Sequence, residues 1–462
     1  MQPSQAKLSR QQVTKAQQQI KGLHACIDRY FPCPFERGGS LLVIFGVISA
    51  LIYVYTRIAF KVELRGLPAN MMVLTFLISA WGQRHQLKSD LIFQLLILAA
   101  VIPWVLFGIN ALIDYETAIK YRSTNDLLKL FLFLPLAWWI GGSRVGAITM
   151  LTIAFLGLIT AIALDPNLMQ SLNMLWAGRR VHFDIHNAQH GALFFGLVIL
   201  FCICSLSQRV QNGLSVNWGN SLAILAGLVG LIGLLGTQTR AAFLGLFVCG
   251  FVALVQGIRQ GNLFGRNHLS MAKGVLALVL VAGLLAWSAK EVLHDRFARE
   301  KTAFHALLAG NLEELPFTDT GVRVHSWAEA LKWIAERPVT GWGQKARSDV
   351  IRLAERFPDD VKLIGHLHNG YLEILLGFGA VGFVFLCVLW IVLLRRIKLA
   401  ASNDLYAFAL YSSIFFLVLN MFESFFIYWS GEFAISLFMA AGYCQYLARS
   451  LDSGPSCRAP PG

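Results

Sequence analysis

The feature that most constrains this chain is the recurrence of apolar runs close to 20 residues long. That is the length a helix needs to cross a bilayer at about 1.5 Å rise per residue. Such runs lie near 38–57, 67–83, 91–113, 126–141, 145–164, 188–208, 217–236, 240–258, 272–289, 369–394, 404–422 and 428–447. Twelve of them predict an all-α fold, a polytopic transmembrane helix bundle. The second and fourth are short for a full crossing, and Pro103 and Pro135 are placed to kink theirs. Composition agrees: 14% of residues are charged, against roughly 25% in an ordinary soluble domain, too few to cover a soluble surface of this size.

The net charge of +13 in a soluble chain would suggest nucleic-acid binding, but here the placement of basic residues matters more than their sum. With both termini cytoplasmic, the tails and inner loops hold 18 Lys and Arg and the short outer loops hold 8. The loop over 290–367 holds 12 basic and 12 acidic residues and is too long to count toward orientation. Lys129 falls inside a span, and Arg57, Lys61 and Arg65 form a local exception to the bias. The chain thus divides into an N-terminal tail (1–37), spans one to nine (38–289), an outer loop (290–367), spans ten to twelve (368–447) and a C-terminal tail (448–462). No apolar region precedes Gly38, so no signal peptide is expected. Val13, Ala16, Ile20, Leu23 and Ile27 recur at helical spacing beside Lys15 and Lys21, which suits a helix on the inner membrane surface; a solvated tail is the alternative. None of the eight cysteines falls in the outer loop, so no disulfide framework is implied.

Within that loop, Val324, Trp327, Leu331 and Ile334 share a helical face ended by Pro338 and Gly341, and Ile351, Ala354 and Phe357 mark a second short helix. Together they predict a small helical cap. Just before the tenth span stands His366-Leu367-His368-Asn369-Gly370-Tyr371-Leu372-Glu373. A histidine at the outer lip of a span is placed to take a proton from a hydroxyl; an interfacial histidine bonded to backbone is the plainer alternative. His366 and His368 lack a third fixed ligand for a metal. Arg240 opens the eighth span, where its guanidinium can hold phosphate or snorkel to the interface. Arg179, Arg180 and Arg323 fall on the same side and favour an anionic ligand. His182, His186 and His190 recur every four residues, so a helix would line all three on one face, as a metal site or, more simply, a polar face. No metal is assigned. No Walker loop or GxSxG occurs, and Gly377, Gly379 and Gly382 read as packing positions.

The order of these features resembles the O-antigen ligase and polymerase superfamily over roughly 180–395. The matching elements are Thr239-Arg240-Ala241-Ala242, Gly321-Val322-Arg323-Val324-His325-Ser326-Trp327, Arg337-Pro338-Val339-Thr340-Gly341-Trp342-Gly343, and His368 through Glu373 followed by Leu376-Gly377-Phe378-Gly379-Ala380-Val381-Gly382. The resemblance implies a glycosyltransferase of lipopolysaccharide biosynthesis, an O-antigen ligase in the Gram-negative inner membrane. Such an enzyme moves glycan from undecaprenyl pyrophosphate to a lipid A-core sugar hydroxyl at the periplasmic face, inverting and without a metal or other cofactor. It also implies His368 as general base, Arg240 and Arg323 on the pyrophosphate, and Arg179 and Arg180 in place for a further phosphate contact. An O-antigen polymerase or a protein O-oligosaccharyltransferase uses the same donor. From another class, a secondary transporter also suits twelve spans, but the two related halves it would need are not evident.

Overall fold

The computed structural model describes residues 3–60, 66–211, 218–259, 308 and 314–452. Its helices in chain order are α1 (Pro3–Tyr30), α2 (Ser40–Ala59), α3 (Gly66–Gly82), α4 (Arg84–Leu87), α5 (Leu91–Ile113), α6 (Tyr115–Tyr121), α7 (Asp126–Lys129), α8 (Phe133–Ile140), α9 (Arg144–Ala163), α10 (Leu168–Trp176), α11 (Ala188–Gln211), α12 (Trp218–Thr237), α13 (Arg240–Arg259), α14 (Asp319–Glu336), α15 (Ala346–Arg352), α16 (Gly370–Ala400), α17 (Asn403–Leu419) and α18 (Trp429–Asp452). No strand occurs among the described residues. The protein is an all-α polytopic membrane bundle.

Among the described residues α2, α5, α9, α11, α12, α13 and α16 are long and apolar enough to cross a membrane, and α3 and α17 are apolar but shorter. The expected run at 126–141 is not one helix: a 3-10 turn at Leu130–Leu132 separates α7 from α8. The run at 272–289 and much of the outer loop before residue 314 lie outside the described residues. The last expected span is α18, 24 residues long and nearly all buried. It packs against α8, α9, α11, α16 and α17. Being surrounded by protein, it can carry Ser430, Glu432 and Ser436 and does not need the apolarity of a lipid-facing helix. Glu432 lies 3.8 Å from Arg57 and 3.6 Å from Lys129. Those contacts neutralise the in-span lysine and one of the three exceptional basic residues; Lys61 and Arg65 lie outside the described residues.

The interhelical segments gather at two ends, as alternating spans require. At one end Arg144 binds Asp404 (2.6 and 2.9 Å), the Ser402 amide donates to Gln445 (2.6 Å), and Arg37 donates to the Trp139 carbonyl (3.0 Å). The opposite end gathers residues 178–190, 236–239, 364–370 and 420–430, joined by Val181 N to Gly236 O (2.8 Å) and Gly370 N to Asn420 O (2.8 Å). A second, smaller core there joins Val322 and Ala330 of α14, Ala346, Val350 and Ile351 of α15, and Phe357, Val361, Leu367 and Leu376. Asp349 pins it to α6, accepting from Tyr121 Oη (3.0 Å) and pairing with Lys120 (2.7 Å).

The cap differs from the sequence expectation in which face it buries. α14 buries Val322, His325, Ser326, Glu329 and Ala330, while Leu331 is exposed. The polar members of that face have local partners: His325 Nε2 is 2.9 Å from Leu315 O, Ser326 donates to Val322 O (2.7 Å), and Glu329 binds Lys332 (2.8 Å). The second short helix is Ala346–Arg352, with Ala354 and Phe357 beyond its end.

Gly379 is more than a packing position. It takes φ 60°, ψ −160° inside α16, a region that costs other residues about 1–3 kcal/mol, and a side chain there would collide with the Val339 carbonyl. The interruption frees backbone groups that the 338–343 segment takes up: Ala380 N donates to Pro338 O (2.8 Å), Trp342 N to Leu376 O (2.8 Å) and Gly343 N to Gly377 O (3.0 Å). A broken helix at membrane depth is tolerated only where protein satisfies it in this way.

Candidate active site

The motif before α16 folds as a set of complementary roles. His368 sits in the left-handed region at φ 51°. Asn369 then caps the helix, its side-chain oxygen accepting from the Tyr371 and Leu372 amides (3.1 and 3.2 Å). The Gly370 amide donates to the Asn420 and Glu423 carbonyls (2.8 and 3.1 Å), where a Cβ would collide with the Asn420 side chain. Tyr371 Oη donates to Leu417 O (2.7 Å). Glu373, fully buried, accepts from the Leu367 amide (2.8 Å) and the Ser424 hydroxyl (2.6 Å). One carboxylate therefore ties together the two segments that carry His368 and Glu423.

Glu423, 1% exposed, is the residue the sequence reading missed. His366 Nε2 lies 3.4 Å from its Oε1 and His368 Nδ1 3.4 Å from its Oε2. Burial works to raise the Glu423 pKa, but the bonds to the two histidines outweigh it and hold the carboxyl well below the usual range. Burial likewise disfavours the imidazolium of His368, and with Glu423 pulling the other way its pKa still sits below that of a free imidazole. The lowered pKa favours the neutral imidazole, the form able to accept a proton.

Beside this pair opens a cavity of about 440 Å³, lined among others by Arg180, His182, His186, Gln189, Arg323, His368 and Glu423. Gln189 was also missed; with its amide nitrogen toward Glu423, its oxygen accepts from Arg323 Nη2 at 2.9 Å. Arg180 Nε donates to Thr237 O (3.1 Å). The structure therefore brings His368, Arg323 and Arg180 onto one wall. Arg179 and Arg240 are exposed and do not line it. The reason for Arg240 is that the chain just before it backs the cavity wall: Gln238 donates to Gly178 O (2.6 Å) and Thr239 to Ala188 O (3.3 Å).

The histidine stripe does not form. Phe183, Asp184 and His186 have φ of 47°, 54° and 49°, which a right-handed helix cannot accommodate, and α11 begins only at Ala188. Of the three, His190 alone is helical; it is fully buried, with Nδ1 2.6 Å from Ser430 Oγ. All five non-glycine residues with positive φ among those described (Phe183, Asp184, His186, Gln238 and His368) lie on the cavity wall or in the segments that build it. Such strain concentrates at functional sites. Among the described residues the group able to hold a metal is instead His366, His368 and Glu423, whose ligand atoms lie within 4.8 Å of one another.

Arg323 with Gln189 can hold an anion, and His368 beside Glu423 can accept a proton, so the cavity suits attack by a hydroxyl on a substrate with an anionic leaving group. Residues 225–387 match the family model described as O-antigen ligase. The matched stretch includes Arg240, Arg323 and His368, while Arg180, Gln189 and Glu423 lie outside it. No curated protein matches the chain.

Proposed function

We propose, from the chain's membership of the O-antigen ligase and polymerase superfamily, that it transfers glycan from undecaprenyl pyrophosphate to a sugar hydroxyl of the lipid A core. The observation that carries this reading is the shared cavity of His368, Arg323 and Arg180. With its proton on Nδ1, toward Glu423, His368 keeps a lone pair on Nε2 for the acceptor hydroxyl. The hydroxyl oxygen attacks the anomeric carbon as its proton passes to Nε2, and the bond to the pyrophosphate oxygen breaks on the opposite face with its electrons, inverting the centre. Arg323 and Arg180 offset the charge on the leaving pyrophosphate, a role that needs no metal. Arg240 and Arg179 would meet the donor outside the cavity, at the membrane boundary.

In this reading the cavity end faces the periplasm and the Arg144–Asp404 end faces the cytoplasm, both termini included, because the inner segments carry the greater basic charge. A cysteine replacing Asp359, in a background lacking the native cysteines, is then expected to react with a membrane-impermeant thiol reagent in spheroplasts. One replacing Asn403 is expected to react only after permeabilisation. The reverse pattern would put His368 on the side that a carrier-linked glycan leaves before transfer.

The acceptor is tested with the purified protein and labelled carrier-linked glycan. Transfer to lipid A core is expected; transfer only to a second carrier-linked glycan, or only to protein, would replace the ligase reading by that of a polymerase or a protein oligosaccharyltransferase.

A further inference from the structure

At the edge of the cavity two imidazoles and a carboxylate, those of His366, His368 and Glu423, bring one ligand-capable atom each within 4.8 Å of one another. His366 Nε2 and His368 Nδ1 are 3.1 Å apart, with Glu423 Oε1 3.4 Å from the first and Oε2 3.4 Å from the second. Ligands held at about 2.0–2.1 Å around a tetrahedral zinc ion stand roughly 3.3–3.4 Å from one another. The two imidazole nitrogens already stand within a few tenths of an ångström of that spacing, and a shift of the Glu423 carboxylate that brings one oxygen toward both completes one face of the tetrahedron. Hydrogen bonds independent of any ion hold the two loops: Glu373 binds Leu367 N and Ser424 Oγ, and the Ser424 amide donates to Glu423 Oε1 (3.0 Å). Two imidazoles and one carboxylate suit zinc, whereas magnesium and calcium take oxygen ligands in greater number.

We propose that His366, His368 and Glu423 bind one zinc ion, and that the bound ion inhibits transfer. The inhibition rests on His368 being the base. Zinc on Nδ1 takes the lone pair there and leaves the ring proton on Nε2, so the imidazole has no remaining site to accept the hydroxyl proton. The ion would also occupy the Glu423 carboxylate that orients the ring.

The test uses the full chain in detergent, stripped with EDTA and dialysed against zinc chloride without any glycan. One zinc per chain is expected, and cobalt(II) in its place should give the intense visible absorption of a tetrahedral site. His366→Ala and Glu423→Gln should each weaken zinc binding by at least the ~10–100-fold that even an outer-shell partner contributes. Transfer by the wild-type chain should fall as zinc is added and return with EDTA. No retained zinc and no tetrahedral cobalt spectrum in the wild-type chain would overturn the site, whatever the folding of the variants. Zinc held equally by all the variants would place it elsewhere and overturn the site as well. A stripped protein that transfers only when zinc is restored would overturn the inhibition and the metal-free mechanism together. Because binding is read without substrate, a chain that binds zinc but transfers no glycan separates failure of the functional reading from failure of the site.

Discussion

His368→Ala is expected to lower glycan transfer by about 100-fold or more, the usual cost of removing a general base, while retention of the carrier-linked donor changes little. The expectation rests on geometry: among the groups lining the cavity, His368 combines an imidazole whose charged form burial disfavours with a carboxylate contact on Nδ1 that leaves Nε2 for the substrate. Because His368 occupies the left-handed region, alanine also adds backbone strain there. His368→Asn is therefore the better companion variant, since asparagine visits that region more readily and lacks a titrating nitrogen. Both variants should lose rate, and His368→Asn should do so with a melting temperature close to that of the wild type. A folded variant that transfers at near wild-type rate would remove His368 from the chemistry. Transport that survived the substitution would favour the transporter class.

Arg323→Ala is expected to cost about 10²–10³ in kcat, comparable with the loss of one donor to a developing oxyanion. Arg323 reaches the cavity from the second turn of α14 and is oriented by Gln189 at 2.9 Å. That contact fixes the plane of the guanidinium before any donor arrives. Arg323→Lys should recover little, because an ammonium keeps the charge but lacks the planar fork that meets two phosphate oxygens at once. The loss should appear in kcat more than in KM, as the pyrophosphate gains charge only as the glycosyl bond breaks. A lysine variant with full activity would reduce Arg323 to a point charge, and an alanine variant within a few-fold of wild type would take it off the pyrophosphate.

What the sequence determined by itself was the class of fold and the place of the candidate histidine just before a span. Lipid imposes its requirement segment by segment, so the length and apolarity of a run declare a span without knowledge of its neighbours. His368 was legible because it stands in a dense local motif, where the capping asparagine, the close-contact glycine and the tying glutamate lie within five residues of it. Only the tertiary structure supplied Glu423, 55 residues from His368, and Gln189, further away still. A lone carboxylate between two spans has no spacing signature; the single signal available was that it falls on the same side of the membrane as the histidine. The helical repeat of His182, His186 and His190 was misleading for the converse reason. Periodicity reports only what a helix would do, and the left-handed backbone at Phe183, Asp184 and His186 belongs to a wall built by contacts with the segment before α13. Gly379 shows the same division within one motif. The glycine is visible in the sequence, but its role appears only when Pro338 to Gly343 occupies the hydrogen bonds that the broken helix leaves open.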